Sequence, residues 1–277
     1  MFDQTDSGSV PEGDKAIASC APLPHDSVDD LLTHLRRFTP LTITSSIHTF
    51  TADGPAPIDR HDGPTLHSPV TQQHDITFRG PENDFKAKIS FCIATPVTSA
   101  EDSPSTPTVT SVAVPLPELS DWARAELGSW LVEHAAEQDI ATLGYGIGAY
   151  HKLALKRARC WARCAAAFPA LCAGGIAHDA GYRAFLGRTF ADFSDGDVLL
   201  RVWWRAGFDE TGAAESKVYV DAVFLNAWKL EATDDGAAPA AIGSCFDSLL
   251  KAGHDVFDAI EKTVRLAFDG SDQKAGK

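Results

Sequence analysis

The sequence predicts an α+β protein in which a sheet-then-helix unit occurs twice in tandem. Three observations predict it. Between residues 41 and 115, apolar and polar residues alternate with period two, as half-buried strands require. From Leu119 onward the apolar spacing becomes helical. After a break at Pro169 and Gly174-Gly175 the same order returns, with a hairpin and then amphipathic helices.

The elements follow in order. Residues 1–25 are polar and broken by Gly and Pro, which predicts disorder. "DSVDDLLTHLRR" has Asp26 or Ser27 as N-cap, and Leu31, Leu32 and Leu35 on one helical face; Pro40 stops it. Strands are predicted at 41–51, 74–78, 85–95 and 108–115, with a Pro/Gly/Asp/His loop over 52–70 and a Pro/Ser/Thr-rich loop over 96–107. In the third strand Phe85, Ala87, Ile89, Phe91 and Ile93 share one face, and Lys86, Lys88 and Ser90 the other. That describes a sheet with one buried side. Leu119, Trp122, Ala123, Leu127, Trp130 and Leu131 then mark a helix, and "DIATLGYGIGAYHKLALKRARCWARCAAAF" a second one after a glycine-softened start.

In the second half, "FLGRTFADFS" reads as a strand, and "DVLLRVWWRAGF" with "SKVYVDAVFL" as a hairpin turning at Asp209-Glu210-Thr211-Gly212. A loop over 229–240 leads to "SCFDSLLKAGHDVFDAIEKTVRLAF", where Ser244 with Asp247 resembles a capping box at the start of one or two helices. The predicted division is 1–37 disordered tail and short helix, 38–172 first domain, 173–270 second domain and 271–277 disordered tail.

Composition narrows the function. Of 277 residues, 44% are hydrophobic, enough for a sizeable core. The net charge of -14 disfavours direct DNA binding, because neutralising phosphates takes a surplus of Lys and Arg; it equally disfavours an anionic membrane surface. The one basic cluster is "KRARCWAR", with Lys156, Arg157, Arg159 and Arg163. No secretory signal or membrane-spanning run is legible, so a soluble intracellular chain with reduced, mostly buried thiols is expected.

Motifs for chemistry are weak. "GYGIGAY" has the pattern GxGxG, not a phosphate loop, and is expected to be a flexible interhelical turn. Cys160 and Cys164 share a helix face without a second ligand pair. His61, His67 and His74 with Asp59, Asp62 and Asp75 have no fixed ligand spacing and are expected to be solvated. The carboxylate pairs Asp29-Asp30, Asp209-Glu210 and Asp234-Asp235 are expected as caps at turns and helix starts. No GxSxG elbow occurs. Catalytic residues, a metal and a cofactor are therefore expected to be none.

What stands out is a doubled tryptophan on a strand. Leu200, Val202, Trp204, Ala206 and Phe208 form the core face, so Trp203 points outward between Arg201 and Arg205. Tyr219 belongs to the outward set Lys217, Tyr219, Asp221 of the next strand. Trp and Arg are enriched in interface hot spots, so Arg201, Trp203, Arg205 and Tyr219 are the candidate partner-binding surface.

The strings "VWWRAGFDETG", "SKVYVDAVFL" and "CFDSLLKAGHDVFDAIEKTVRLAF" resemble the C-terminal part of the centromere protein P family. "HDITFRGPENDFKAKISFCIA" is similar to that family's first sheet, and "LKRARCWARCAAAFPAL" to the helix ending its first domain; the resemblance spans roughly residues 38–268. It implies two tandem RWD-like domains, each an antiparallel sheet packed by helices. It also implies a noncatalytic scaffold subunit of the inner kinetochore, in the nucleus at the centromere. The implied partners are a centromere protein O-like subunit, as heterodimer, and centromere protein Q- and U-like subunits. The family's N-terminal coiled coil has no counterpart in residues 1–37, which offer one short helix. The rival readings are an RWD-type module of another assembly and a small-molecule enzyme using the His/Asp loop or one thiol.

Overall fold

The computed structural model describes residues 28–51, 70–95, 107–172, 181–224 and 237–272. Helix α1 (Val28–Phe38) precedes a four-stranded antiparallel meander of β1 (Thr42–Thr51), β2 (Val70–Arg79), β3 (Lys86–Thr95) and β4 (Thr108–Ala113). Helices α2 (Asp121–Ala135) and α3 (Ile140–Ala167) follow. A three-stranded antiparallel sheet comes next, of β5 (Phe190–Ser194), β6 (Val198–Phe208) and β7 (Ala214–Phe224), and then α4 (Ala237–Lys251) and α5 (Val256–Asp272). The class is α+β, with two antiparallel sheets. The predicted tail 1–25, the cap at Asp26 or Ser27, and most of the loop sequences lie outside the described residues; of the predicted tail 271–277, the first two residues belong to α5, which runs to Asp272, and the rest lie outside the described residues. No helix among the described residues is long and apolar enough to cross a membrane.

The pleat sorts the first sheet as its alternation requires. Ile76, Phe78, Phe85, Ala87, Ile89 and Phe91 are buried, packing with Leu127, Leu131, Leu143 and Ile147 of α2 and α3. On the opposite face Lys88 pairs with Asp75 at 2.9 Å. Helix α3 begins at Ile140 because the Asp139 carboxylate caps it, accepting from the Thr142 N–H at 3.0 Å.

"GYGIGAY" is not an interhelical turn: it lies inside α3. Its glycines are close-packing positions. A Cβ on Gly144, Gly146 or Gly148 would lie 2.5, 2.2 or 2.7 Å from Leu35, Trp130 and Thr39, so only glycine lets α1 and α2 approach this closely. The energy of that contact offsets the roughly 1 kcal/mol that each interior glycine costs a helix.

Helix α3 serves both cores. Its first half packs under the four-stranded sheet; its second half, with Ala158, Cys160, Trp161, Cys164 and Ala165, joins the core of the second sheet. There Leu200, Val202 and Trp204 face Phe246, Ile260 and Val264 of α4 and α5, and Trp204 meets Trp161 edge-to-face at 5.9 Å. The hairpin turn is held by Asp209, whose carboxylate accepts from the Thr211 hydroxyl and from the Thr211 and Ala213 N–H groups; the Thr211 hydroxyl and Ala213 N–H lower its pKa. Ser244 is not a cap. Helix α4 starts at Ala237, and the Ser244 carbonyl accepts from the Ser248 hydroxyl one turn on. Asp255 does cap α5, accepting from the Phe257 N–H.

Strand β5 begins at Phe190, opposite Trp203, which leaves the β6 backbone beyond Trp204 without a neighbouring strand on that side among the described residues. Side chains take the strand's place. Arg157 donates to the Trp204 carbonyl at 2.8 Å, and Glu126 accepts from the Ala206 N–H at 3.1 Å. The two pair bidentately at 2.9 and 2.5 Å, and Tyr150 donates its hydroxyl to Glu126 at 3.1 Å. An ion pair from α2 and α3 thus continues the β-ladder.

Candidate partner-binding face

The strand registers set three aromatic rings in a row across the outer face of the second sheet. Phe190 of β5 lies opposite Trp203 of β6, which lies opposite Tyr219 of β7. Ring centroids are 5.1 Å apart for Phe190 and Trp203, and 6.0 Å for Trp203 and Tyr219, the latter nearly parallel at 19°. Phe190 and Tyr219 are 39% and 38% exposed, so the row is open to contact. Trp203 is half-buried by its strand neighbours.

Polar contacts hold the row in place. The Trp203 indole N–H donates to Asp221 at 2.8 Å. Arg201 makes a bidentate pair with Asp192, at 2.6 and 2.7 Å, while its guanidinium lies 4.6 Å from the Phe190 ring centre and 5.3 Å from that of Trp203. Arg205 covers Trp203 from the other side, 4.7 Å from the ring centre. The four nominated residues therefore meet on one face, with Arg201, Trp203 and Arg205 along β6 and Tyr219 beside them. Phe190, Asp192 and Asp221 complete the set. Phe190 was legible in principle, since it alternates with Ala191 across β5, but only the register places it against Trp203.

The arrangement offers apolar area, guanidinium donors and a phenol hydroxyl, preorganised by ion pairs. That is the chemistry of recognising a polypeptide. A cavity lies behind Phe190, lined by Trp161, Cys164, Cys172, Phe185 and Arg188; at about 30 Å³ it has room for one water and is far too small for a metabolite.

Other residues singled out by pattern take different places. Arg157 of "KRARCWAR" is 1% exposed, not part of a solvated basic face. Arg159 and Arg163 lie over Tyr182 and Phe257, and Lys156 is 3.8 Å from Asp255. His74 is not solvated: it is 2% exposed, stacked on Phe91 at 5.0 Å, and burial holds its pKa below the ordinary value. His61, His67, Asp59 and Asp62 lie outside the described residues. Cys160 and Cys164 are buried, and the Cys172 thiol reaches back to the Cys164 carbonyl at 3.8 Å.

One further histidine had no sequence signal. His151 and Asp84 face one another at 3.5 Å with side chains 0% and 1% exposed, and burial outweighs Asp84 to lower the histidine's pKa.

No protein-family model matches the chain, and no curated protein matches it.

Proposed function

We propose that this chain is a noncatalytic scaffold subunit of the inner kinetochore, built from two tandem RWD-like domains in the manner of the centromere protein P family. It heterodimerises with a centromere protein O-like partner and helps dock centromere protein Q- and U-like subunits, in the nucleus, for chromosome segregation. The carrying observation is the aromatic row Phe190, Trp203 and Tyr219, braced by Arg201 and Arg205 on an otherwise acidic chain. The order helix, four-stranded meander, two helices, then a second sheet followed by two helices, supports the domain reading. The string resemblance supplies the assembly; the face supplies a means of binding.

Co-expression with a centromere protein O-like subunit tests the proposal, with size-exclusion chromatography and mass measurement. A one-to-one complex is expected. Trp203→Ala should weaken it by about 30-fold, the loss of a hot spot worth about 2 kcal/mol, while the variant stays folded. A chain that elutes alone at micromolar concentration would refute the kinetochore reading; a complex indifferent to Trp203→Ala would refute the face.

A further inference from the structure

The aromatic row divides the outer face into two electrostatically different halves. On one side the charges are spent internally. Asp192 neutralises Arg201 through two hydrogen bonds, and Asp221 is engaged by the Trp203 indole. On the other side Arg205 of β6 and Lys217 of β7 stand directly opposite each other in the register. Their side chains lean apart along the strands, Arg205 back over the Trp203 ring and Lys217 across to Gly207, so each cation is presented separately. Both residues are exposed, and neither forms an ion pair among the described residues. Glu215, opposite Gly207 and next along the same face of β7, pairs with neither. The Lys217 stem crosses close to Gly207, where an added Cβ would lie 3.0 Å from it, so its ammonium is carried over the β6 side of the face. On a chain of net charge -14, these are two exposed cations without an ion pair among the described residues, placed at the edge of an aromatic row.

We infer that the occupant of this face is an acidic peptide segment of the partner, with carboxylates on Arg205 and Lys217 and an apolar side chain beside them against Trp203 and Tyr219. The inference rests on the proposed binding role of the face and specifies the chemistry of what binds. Carboxylates on this side form charge-assisted hydrogen bonds with the Lys217 ammonium and with a guanidinium that already lies against an aromatic ring. The apolar neighbour covers the exposed edges of the rings. A single-stranded nucleic acid fits less well: the faces of Trp203 are already taken up by Tyr219 and the two arginines, leaving less ring surface for base stacking, and the Asp192 and Asp221 carboxylates on the same face repel phosphates.

The test uses the full chain and fluorescence anisotropy with three labelled probes. These are a short peptide with Asp pairs flanking single Phe and Leu residues, its twin with Lys at every Asp position, and oligo-dT. The acidic peptide should bind, weaken as salt rises, and lose about tenfold in affinity to the double variant Arg205→Glu/Lys217→Glu, whose far-ultraviolet circular dichroism should be unchanged. The Lys peptide should bind the double variant better than the parent. Absent or variant-independent binding of the acidic peptide, or tighter binding of oligo-dT, would overturn the inference. The two levels separate in the co-expression assay. Loss of the complex with Trp203→Ala but not with Arg205→Glu/Lys217→Glu removes the acidic occupant and keeps the binding face; indifference to both removes the face itself.

Discussion

Replacing Arg157 by Met tests the junction between the two halves. The guanidinium is 1% exposed and donates to both Glu126 oxygens and to the Trp204 carbonyl. Methionine fills much of the same volume, so packing is largely retained. What remains is a Glu126 carboxylate only 11% exposed, left with the Tyr150 hydroxyl and the Ala206 N–H, and a Trp204 carbonyl without its donor. Breaking a buried ion pair by removing one partner costs about 3–5 kcal/mol, because the stranded charge has lost both water and its counter-charge. At roughly 2–4 °C per kcal/mol, the melting temperature should fall by roughly 6–20 °C. Urea unfolding followed by tryptophan fluorescence measures the loss directly. The double variant Arg157→Met/Glu126→Gln removes the stranded charge and keeps an oxygen for the Ala206 N–H. It should therefore be more stable than Arg157→Met alone by about 1 kcal/mol or more. A single-variant cost below about 1 kcal/mol, or no recovery in the double variant, would refute the idea that this pair stands in for a missing strand.

Three further outcomes are expected. Gly146→Ala sets a methyl 2.2 Å from the Trp130 ring, so α2 and α3 must separate; a loss of about 1–3 kcal/mol in urea unfolding checks it, and a neutral effect would contradict the close packing. Burial holds His74 and His151 below the ordinary histidine value of 6.5, so the unfolded chain takes up these protons first as pH falls. Their neutral forms cost the fold nothing above pH ~6.5, and below it stability declines by up to about 1.4 kcal/mol per pH unit for each histidine. His74→Phe should reduce that slope between neutral and mildly acidic pH, and an unchanged slope would exclude His74 as a source. Cys164, 1% exposed, has its pKa raised by its hydrogen bond with Cys160 and by burial; both thiols should react with Ellman's reagent more than about tenfold more slowly than the partly exposed Cys172 and Cys245, until the chain unfolds.

The strands and their faces were legible because the pleat is local: a residue's side follows from its parity, whatever the rest of the chain does. Hence the burial of Phe85, Ala87, Ile89 and Phe91, and the split of Trp203 from Trp204, agree with the alternation alone. Locality also explains the misreadings. Three glycines in seven residues look like a turn until Leu35, Trp130 and Thr39 are seen filling the space they leave. Ser244 and Asp247 have cap spacing, but the helix had already begun at Ala237.

By itself, then, the sequence determined the α+β class, the sidedness of each sheet and the outward placement of Arg201, Trp203, Arg205 and Tyr219. Tertiary structure alone decided that Phe190 stands beside Trp203, that Arg205 lies opposite Lys217 with neither in an ion pair among the described residues, and that the basic-looking Arg157 is a buried clamp. The division has one physical cause. Periodicity is written into neighbouring residues, whereas the burial of a charge depends on partners such as Glu126 and Trp204, which lie 31 and 47 residues away and meet Arg157 only when the chain has folded.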